Sequence, residues 1–149
     1  MSKRRPPSII RPIAIGLVLR GEDLLLMEVR DGDDAIQGWR PVGGTIEFGE
    51  RAADALKREF LEELGLVIDD PTLLSVMENL YTYNSAVGHE IVFVFETRLV
   101  DASQYNRETF SFDDGGNRNE ATWVALSRFV RREEVLFPVG LVDLLMQVR

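Results

Sequence analysis

Residues 50–65, ERAADALKREFLEELG, constrain the fold more than any other part of the chain. The run contains no proline, and its apolar residues Ala53, Leu56, Phe60 and Leu64 recur at three- and four-residue spacing. That spacing predicts one helix of about four turns with a buried stripe. Off the stripe stand Glu59, Glu62 and Glu63, neighbours on the helix surface. Each like-charge pair costs roughly 0.2–0.5 kcal/mol. Gly65 is the expected stop, since glycine tolerates the left-handed conformation that closes many helices. Glu62 and Glu63 then lie in the last turn, where the helix dipole favours cations. A sequence selected for helix stability alone would place Lys or Arg there. The pattern implies a positive partner supplied from outside the sequence, and a divalent cation meets that need. An acidic solvated face is the plainer alternative.

The rest of the chain narrows the class. At 149 residues, with 45% hydrophobic and 28% charged, it is sized for one domain with one core. No stretch approaches the ~18 apolar residues of a membrane span. The basic N-terminus lacks the apolar segment of a secretory signal. Without cysteine, disulfides, thiolate metal sites and cysteine nucleophiles are excluded, and the cytoplasm is the default compartment. A formal charge of −8 argues against a nucleic-acid polymer as partner. It leaves room for a phosphorylated small molecule, because a bound metal inverts the local sign.

Residues 1–10 read as a basic tail or lead-in. Residues 13–19 (IAIGLVL) and 24–29 (LLLMEV) read as strands joined in a hairpin by the turn at residues 21–23. Residues 31–38 read as a polar loop, followed by the glycine-rich RPVGGTIEFGE. Residues 72–83, 90–100 and 121–126 read as strands, and 101–119 as a long polar loop. Pro138 is expected to open an apolar C-terminal helix, with Leu141, Val142, Leu144, Leu145 and Val148 facing the core or a dimer partner. The order implies an α+β fold: a mixed β-sheet flanked by helices.

Reading outward from the glutamates, Gly44, Glu50, Arg58, Glu59, Glu62, Glu63 and Gly65 fall in the order G-x5-E-x7-R-E-U-x-E-E-x-G-U, where U is bulky and apolar. This resembles the signature of the Nudix hydrolases. At ~7% per residue type, chance gives all seven fixed positions about once in a hundred million starts. The resemblance spans residues 44–66 and implies the family's αβα sandwich over residues 11–149. It further implies hydrolysis of a nucleoside diphosphate linked to another group, assisted by Mg²⁺ or Mn²⁺. Hard cations take oxygen ligands, and water must be activated and held in line with phosphorus. By the same resemblance, Glu62 is the leading metal ligand, with Glu63, Glu59 and the Gly43 carbonyl beside it. Glu59 can also take a proton from the attacking water. Arg58 orients carboxylates, and Glu50, Gly44 and Gly65 serve the loop–helix geometry. Many relatives carry proline directly before the two glycines; here Val42 intervenes after Pro41.

Outside the motif the candidates are weaker. Glu120, Asp113, Asp114 and Glu108 are candidates for a further acid, Glu120 foremost. Arg40 and Arg118 are candidates for phosphate, and Tyr81 or Tyr83 for stacking on a base. Trp39 and Trp123 read as packing residues, and His89 as a surface or strand-start residue. The expected ligand is a small nucleotide: a nucleoside triphosphate, a nucleotide sugar, ADP-ribose or a dinucleoside polyphosphate. Relatives often form homodimers. A non-catalytic nucleotide sensor on the same fold is the alternative. An isopentenyl diphosphate isomerase would need the missing cysteine.

Overall fold

The computed structural model describes residues 8–83, 85–114 and 116–148. Residues 1–7 of the expected tail lie outside them, as does the side chain of Asp114. In chain order the elements are β1 (Ile10–Leu17), β2 (Leu19–Arg20), β3 (Asp23–Arg30), β4 (Ile36–Thr45), α1 (Ala52–Leu64), β5 (Thr72–Tyr83) and β6 (Ala86–Glu96). A 3-10 turn follows at Ala102–Asn106, then β7 (Thr109–Asp114), β8 (Asn117–Ala125), α2 (Ser127–Val130) and α3 (Leu141–Val148).

The strands described form one mixed sheet in the order β5-β6-β1-β4-β3-β8-β7, with β2 paired to β3. β1 runs parallel to β6, and the other pairings are antiparallel. Side-chain alternation along β1 shows how the sheet serves two layers. Ala14 faces a core shared with Leu56, Phe60 and Leu64 of α1. Ile13, Ile15 and Leu17 face a second core with Phe129 of α2 and Leu141 and Leu145 of α3. The result is an α+β, αβα sandwich. Small residues let α1 approach: a Cβ on Gly16 would lie 2.9 Å from the Phe60 ring. Burying Leu56, Phe60 and Leu64 contributes about 1.5–3 kcal/mol each, an upper range. No helix among the described residues is long and apolar enough to cross a membrane.

Several expectations are corrected. Ala55 joins Leu56, Phe60 and Leu64 as a fully buried helix residue, while Ala53 packs on the same core only half-buried. The helix begins at Ala52, after Glu50. Of the expected hairpin only the turn end forms: Leu19 pairs with Leu24 through β2, while β1 pairs with β4 and β6 and not with β3. β1 is buried along its C-terminal half and takes full neighbours on both sides, β4 and β6. Residues 40–45 of the glycine-rich run belong to β4, where Gly43 sits so close to β1 that any Cβ would strike the backbone at Ala14 and Ile15. The polar stretch at 101–119 is no open loop: it holds the 3-10 turn, β7 and the start of β8. There Phe110 and Phe112 alternate with Ser111 and Asp113, a period of two in a polar setting. α3 begins at Leu141, three residues beyond Pro138, and Val148 is half exposed.

Candidate active site

The turn from β4 into α1 is shaped by Glu50. Its Oε1 accepts from the Glu47 backbone N–H at 3.1 Å, and Gly49 takes φ +86 within the turn. Arg58, two turns into the helix, reaches back across the turn. Its Nε and Nη2 donate to the two Glu50 oxygens at 2.8 and 2.9 Å, a bidentate pair. Nη2 also donates to the Thr45 carbonyl at 2.9 Å. Nη1 donates to Glu59 Oε1 at 2.9 Å and to Glu62 Oε2 at 3.0 Å. One guanidinium therefore fixes the strand end, the turn and two of the three crowded glutamates. The Arg58 bonds and the Glu47 amide hold the Glu50 carboxyl down at about 2. The acidic partners push the Arg58 pKa up.

Glu59 lies against the backbone of β4. A Cβ on Gly44 would sit 2.5 Å from the Glu59 carboxyl carbon, so only glycine admits that carboxylate. Glu63, one turn on, is mostly enclosed, and its Oε1 is buried with no hydrogen-bond partner. Burial pushes the Glu63 carboxyl up to about 7; Arg40 opposes this and the neighbouring Glu59 adds to it. Arg40 Nη2 stands 3.5 Å from Glu63 Oε2, so the structure brings Arg40 to the glutamates. Glu62 is the most exposed of the three, at 51% of its side chain. No three acidic or histidine side chains among the described residues already converge on one cation position. The arginines account for this: Arg58 and Arg40 occupy carboxylate oxygens that a cation would otherwise draw together. Gly65 closes the helix in the left-handed region, φ 65, its N–H donating to Leu61 and that of Leu66 to Phe60.

A cleft of 280 Å³ opens on the other face of the sheet and reaches Gly43 and Gly44. Ile13, Ile15, Val92, Phe137 and Pro138 supply apolar walls; Arg11, Asn79 and Glu90 supply the polar end. None of Arg11, Asn79, Glu90 or Phe137 stands out in the sequence as a site residue. Of the sequence candidates, Arg40 lines the cleft, and Tyr81, two residues from Asn79 on the same strand face, sets its hydroxyl among Arg11 and Glu90.

The remaining candidates lie elsewhere. Glu120 is exposed and accepts from Ser111 Oγ at 3.3 Å. Its neighbour Ala121 faces α1, so alternation puts Glu120 on the opposite face. Arg118 and Asp113 are exposed and pair across the β7–β8 hairpin. Glu108 binds Arg20. Tyr83 ends β5 opposite Ala86. Trp123 is core, stacked on Tyr105 at 5.8 Å, and Trp39 donates from Nε1 to Glu134 at 2.8 Å. His89 lies within β6, not at its start.

The NUDIX domain family model matches residues 10–144. The chain is 31% identical over 93 residues to low-salt glycan biosynthesis protein Agl8 of Haloferax volcanii, covering 60% of this chain and 60% of that one. It is 33% identical over 103 residues to nucleoside triphosphatase NudI of Escherichia fergusonii, covering 66% and 72% respectively. Its fold is similar to that of a NUDIX hydrolase from Nitrosomonas europaea, with TM-score 0.67 and 19% identity over 94% of this chain and 88% of that one. Enzymes of this kind generally depend on a divalent metal. On the match over residues 10–144, the chain belongs to the Nudix family, enzymes that hydrolyse the diphosphate linkage of nucleoside diphosphates joined to another group.

Proposed function

We propose that this chain is a Mg²⁺- or Mn²⁺-dependent pyrophosphohydrolase of a small nucleotide, with its chemistry at Glu59, Glu62 and Glu63. The observation that carries the reading is the Glu63 Oε1 atom: a buried carboxylate oxygen with no donor, beside a second carboxylate cradled on Gly44. Such an arrangement is costly unless a cation completes it. The donors are all oxygen, which suits a hard divalent ion. Glu59, Glu62, Glu63 and the Gly43 carbonyl would hold that ion. When bound, it supplies charge neutralisation for the diphosphate and acidifies water. Arg58 keeps Glu59 and Glu62 in register with β4. Glu59, against the Gly44 backbone, is placed to take the proton of the attacking water. Arg40, half-buried beside Glu63, would swing toward phosphate. Arg118 and Glu120, on or beside the β7–β8 hairpin, have no part in this arrangement.

Among substrates, a nucleoside triphosphate gains support from the similarity to the Escherichia nucleoside triphosphatase, and a nucleotide sugar, ADP-ribose and a dinucleoside polyphosphate complete the panel. A cytoplasmic homodimer is part of the same proposal. Edge strand β5, with Leu73, Val76 and Leu80 exposed, offers a surface for the dimer. A single domain over residues 11–149 also belongs to it. The test is product release from the panel with Mg²⁺, Mn²⁺ or chelator. Metal-dependent cleavage of one class is expected. Nucleotide binding without turnover in either metal would instead favour the sensor reading.

A further inference from the structure

We propose that the cleft beside Gly43 and Gly44 selects guanine, read by Glu90 and Arg11 and stacked on Phe137; the inference rests on the nucleotide reading above. Among the described residues Glu90 is the one carboxylate lining the cleft, at its polar end, with 17% of its side chain exposed. A charge in such a place is costly unless paired. Its partners hold it in position without exhausting it. Asn79 Nδ2 donates to Oε1 at 3.2 Å, and the Tyr81 hydroxyl lies beside the same carboxylate. Arg11 Nη1 stands 3.7 Å from Oε2, an ion pair longer than a hydrogen bond. Arg11 itself is anchored from Nη2 to Thr45 Oγ1 at 2.9 Å. An ionised carboxylate has about four acceptor sites on two oxygens. The polar end therefore presents acceptors beside a fixed guanidinium donor.

Guanine is the base that matches this order. Its Watson–Crick edge sets two adjacent donors, the 2-amino group and N1–H, beside one acceptor, O6. Adenine would turn the N1 lone pair toward the carboxylate, and cytosine would turn N3. Uracil offers one donor between two acceptors. Phe137 and Pro138, across the cleft from Ile13 and Ile15, supply the apolar faces that a purine ring fills. The cleft ends at Gly43 and Gly44, and the far side of Gly44 touches Glu59. Arg40 also lines the cleft and stands 3.5 Å from Glu63 Oε2, so a base in the cleft would send its phosphates past Arg40 toward the glutamates.

The test is calorimetric titration of the full chain with GMP, AMP, CMP and UMP in chelator, which separates the cleft from the metal chemistry. GMP is expected to bind about tenfold more tightly than the others. Glu90→Gln should reduce that preference to about twofold while the melting temperature is held. Phe137→Ala should weaken every base by about tenfold and keep their order. A tightest-binding AMP or pyrimidine, an unchanged preference in Glu90→Gln, or no binding of any monophosphate would overturn the proposal. If Glu90→Gln fails to fold, the wild-type ranking and Phe137→Ala still decide. Glu62→Gln should keep the GMP preference. If no panel substrate is hydrolysed yet GMP is preferred, the hydrolase reading fails and the cleft assignment stands.

Discussion

The glutamate helix and the cleft sit back to back across Gly43 and Gly44, yet they are built in opposite ways. The helix side is local: Glu50, Arg58, Glu59, Glu62 and Glu63 lie within 14 consecutive residues, and helix geometry alone sets their mutual positions. The cleft is non-local. Arg11 comes from β1, Asn79 from β5, Glu90 from β6 and Phe137 from the segment before α3. A site set by local spacing can be read from spacing. A site set by sheet order requires the sheet order first. In the proposed reading the two also differ in work: the helix side takes the diphosphate shared by all candidate substrates, and the cleft takes what distinguishes them.

The strongest attempt to break this division is Glu62→Gln. It keeps the shape and the Arg58 contact geometry but removes a charge from the proposed cation site. Turnover of every panel substrate should fall at least about a hundredfold, with the melting temperature close to wild type. A loss below tenfold in single-turnover rates would break the assignment. Glu59→Gln should be comparably severe.

Gly44→Ala tests the wall between the two regions. The new methyl carbon meets the Glu59 carboxyl at 2.5 Å, a position something must vacate. Displacing a catalytic group by about an ångström can cost on the order of a hundredfold. We expect kcat to fall about tenfold or more with GMP affinity little changed. An unchanged kcat would show that the Glu59 position is immaterial.

Glu50 sharpens the helix side through pH. Its folded carboxyl is held at about 2, below the ordinary value of 4.5, chiefly by Arg58. The unfolded chain therefore binds a proton that the folded chain refuses between those values. The stabilisation is present above about pH 4.5 and disappears as pH falls toward 2. The melting-temperature gap between wild type and Glu50→Gln should be full near neutrality and close across that window. A gap independent of pH would mean that the Arg58–Glu50 pair is not its source.

How much was legible follows from the same division. The helix and its crowded glutamates were readable from 3.6-residue periodicity, its stop from the left-handed tolerance of Gly65, and the layered α+β architecture from the order of the elements. At the start of the stripe Ala55 is more deeply buried than Ala53, since three small residues there, Ala52, Ala53 and Ala55, all touch the core. β4 was hidden by its glycines. Their purpose, the approach of Ala14 on one side and Glu59 on the other, is a tertiary fact absent from local sequence. β7 was hidden because Ser111 and Asp113 made its exposed face look like loop. Arg40 was singled out as a phosphate contact, but its pairing with Glu63 depends on β4 lying beside α1.

The smallest expected effect is also the most informative about that limit. Glu120 stood foremost among the candidates for a further acid. The sheet decides otherwise. Phe110 and Ala121 are opposite one another and face the α1 core, so Ser111 and Glu120, the next pair, face away. Glu120 then bonds Ser111 and remains exposed. Its loss removes one exposed hydrogen bond and leaves no buried group unpaired, so the stability change should stay within about 0.5 kcal/mol. Glu120→Gln should alter kcat by less than about twofold in either metal. If it instead reduces kcat tenfold or more at unchanged GMP affinity, the β7–β8 hairpin must move to the glutamates during turnover, and the active site would no longer be confined to α1 and β4.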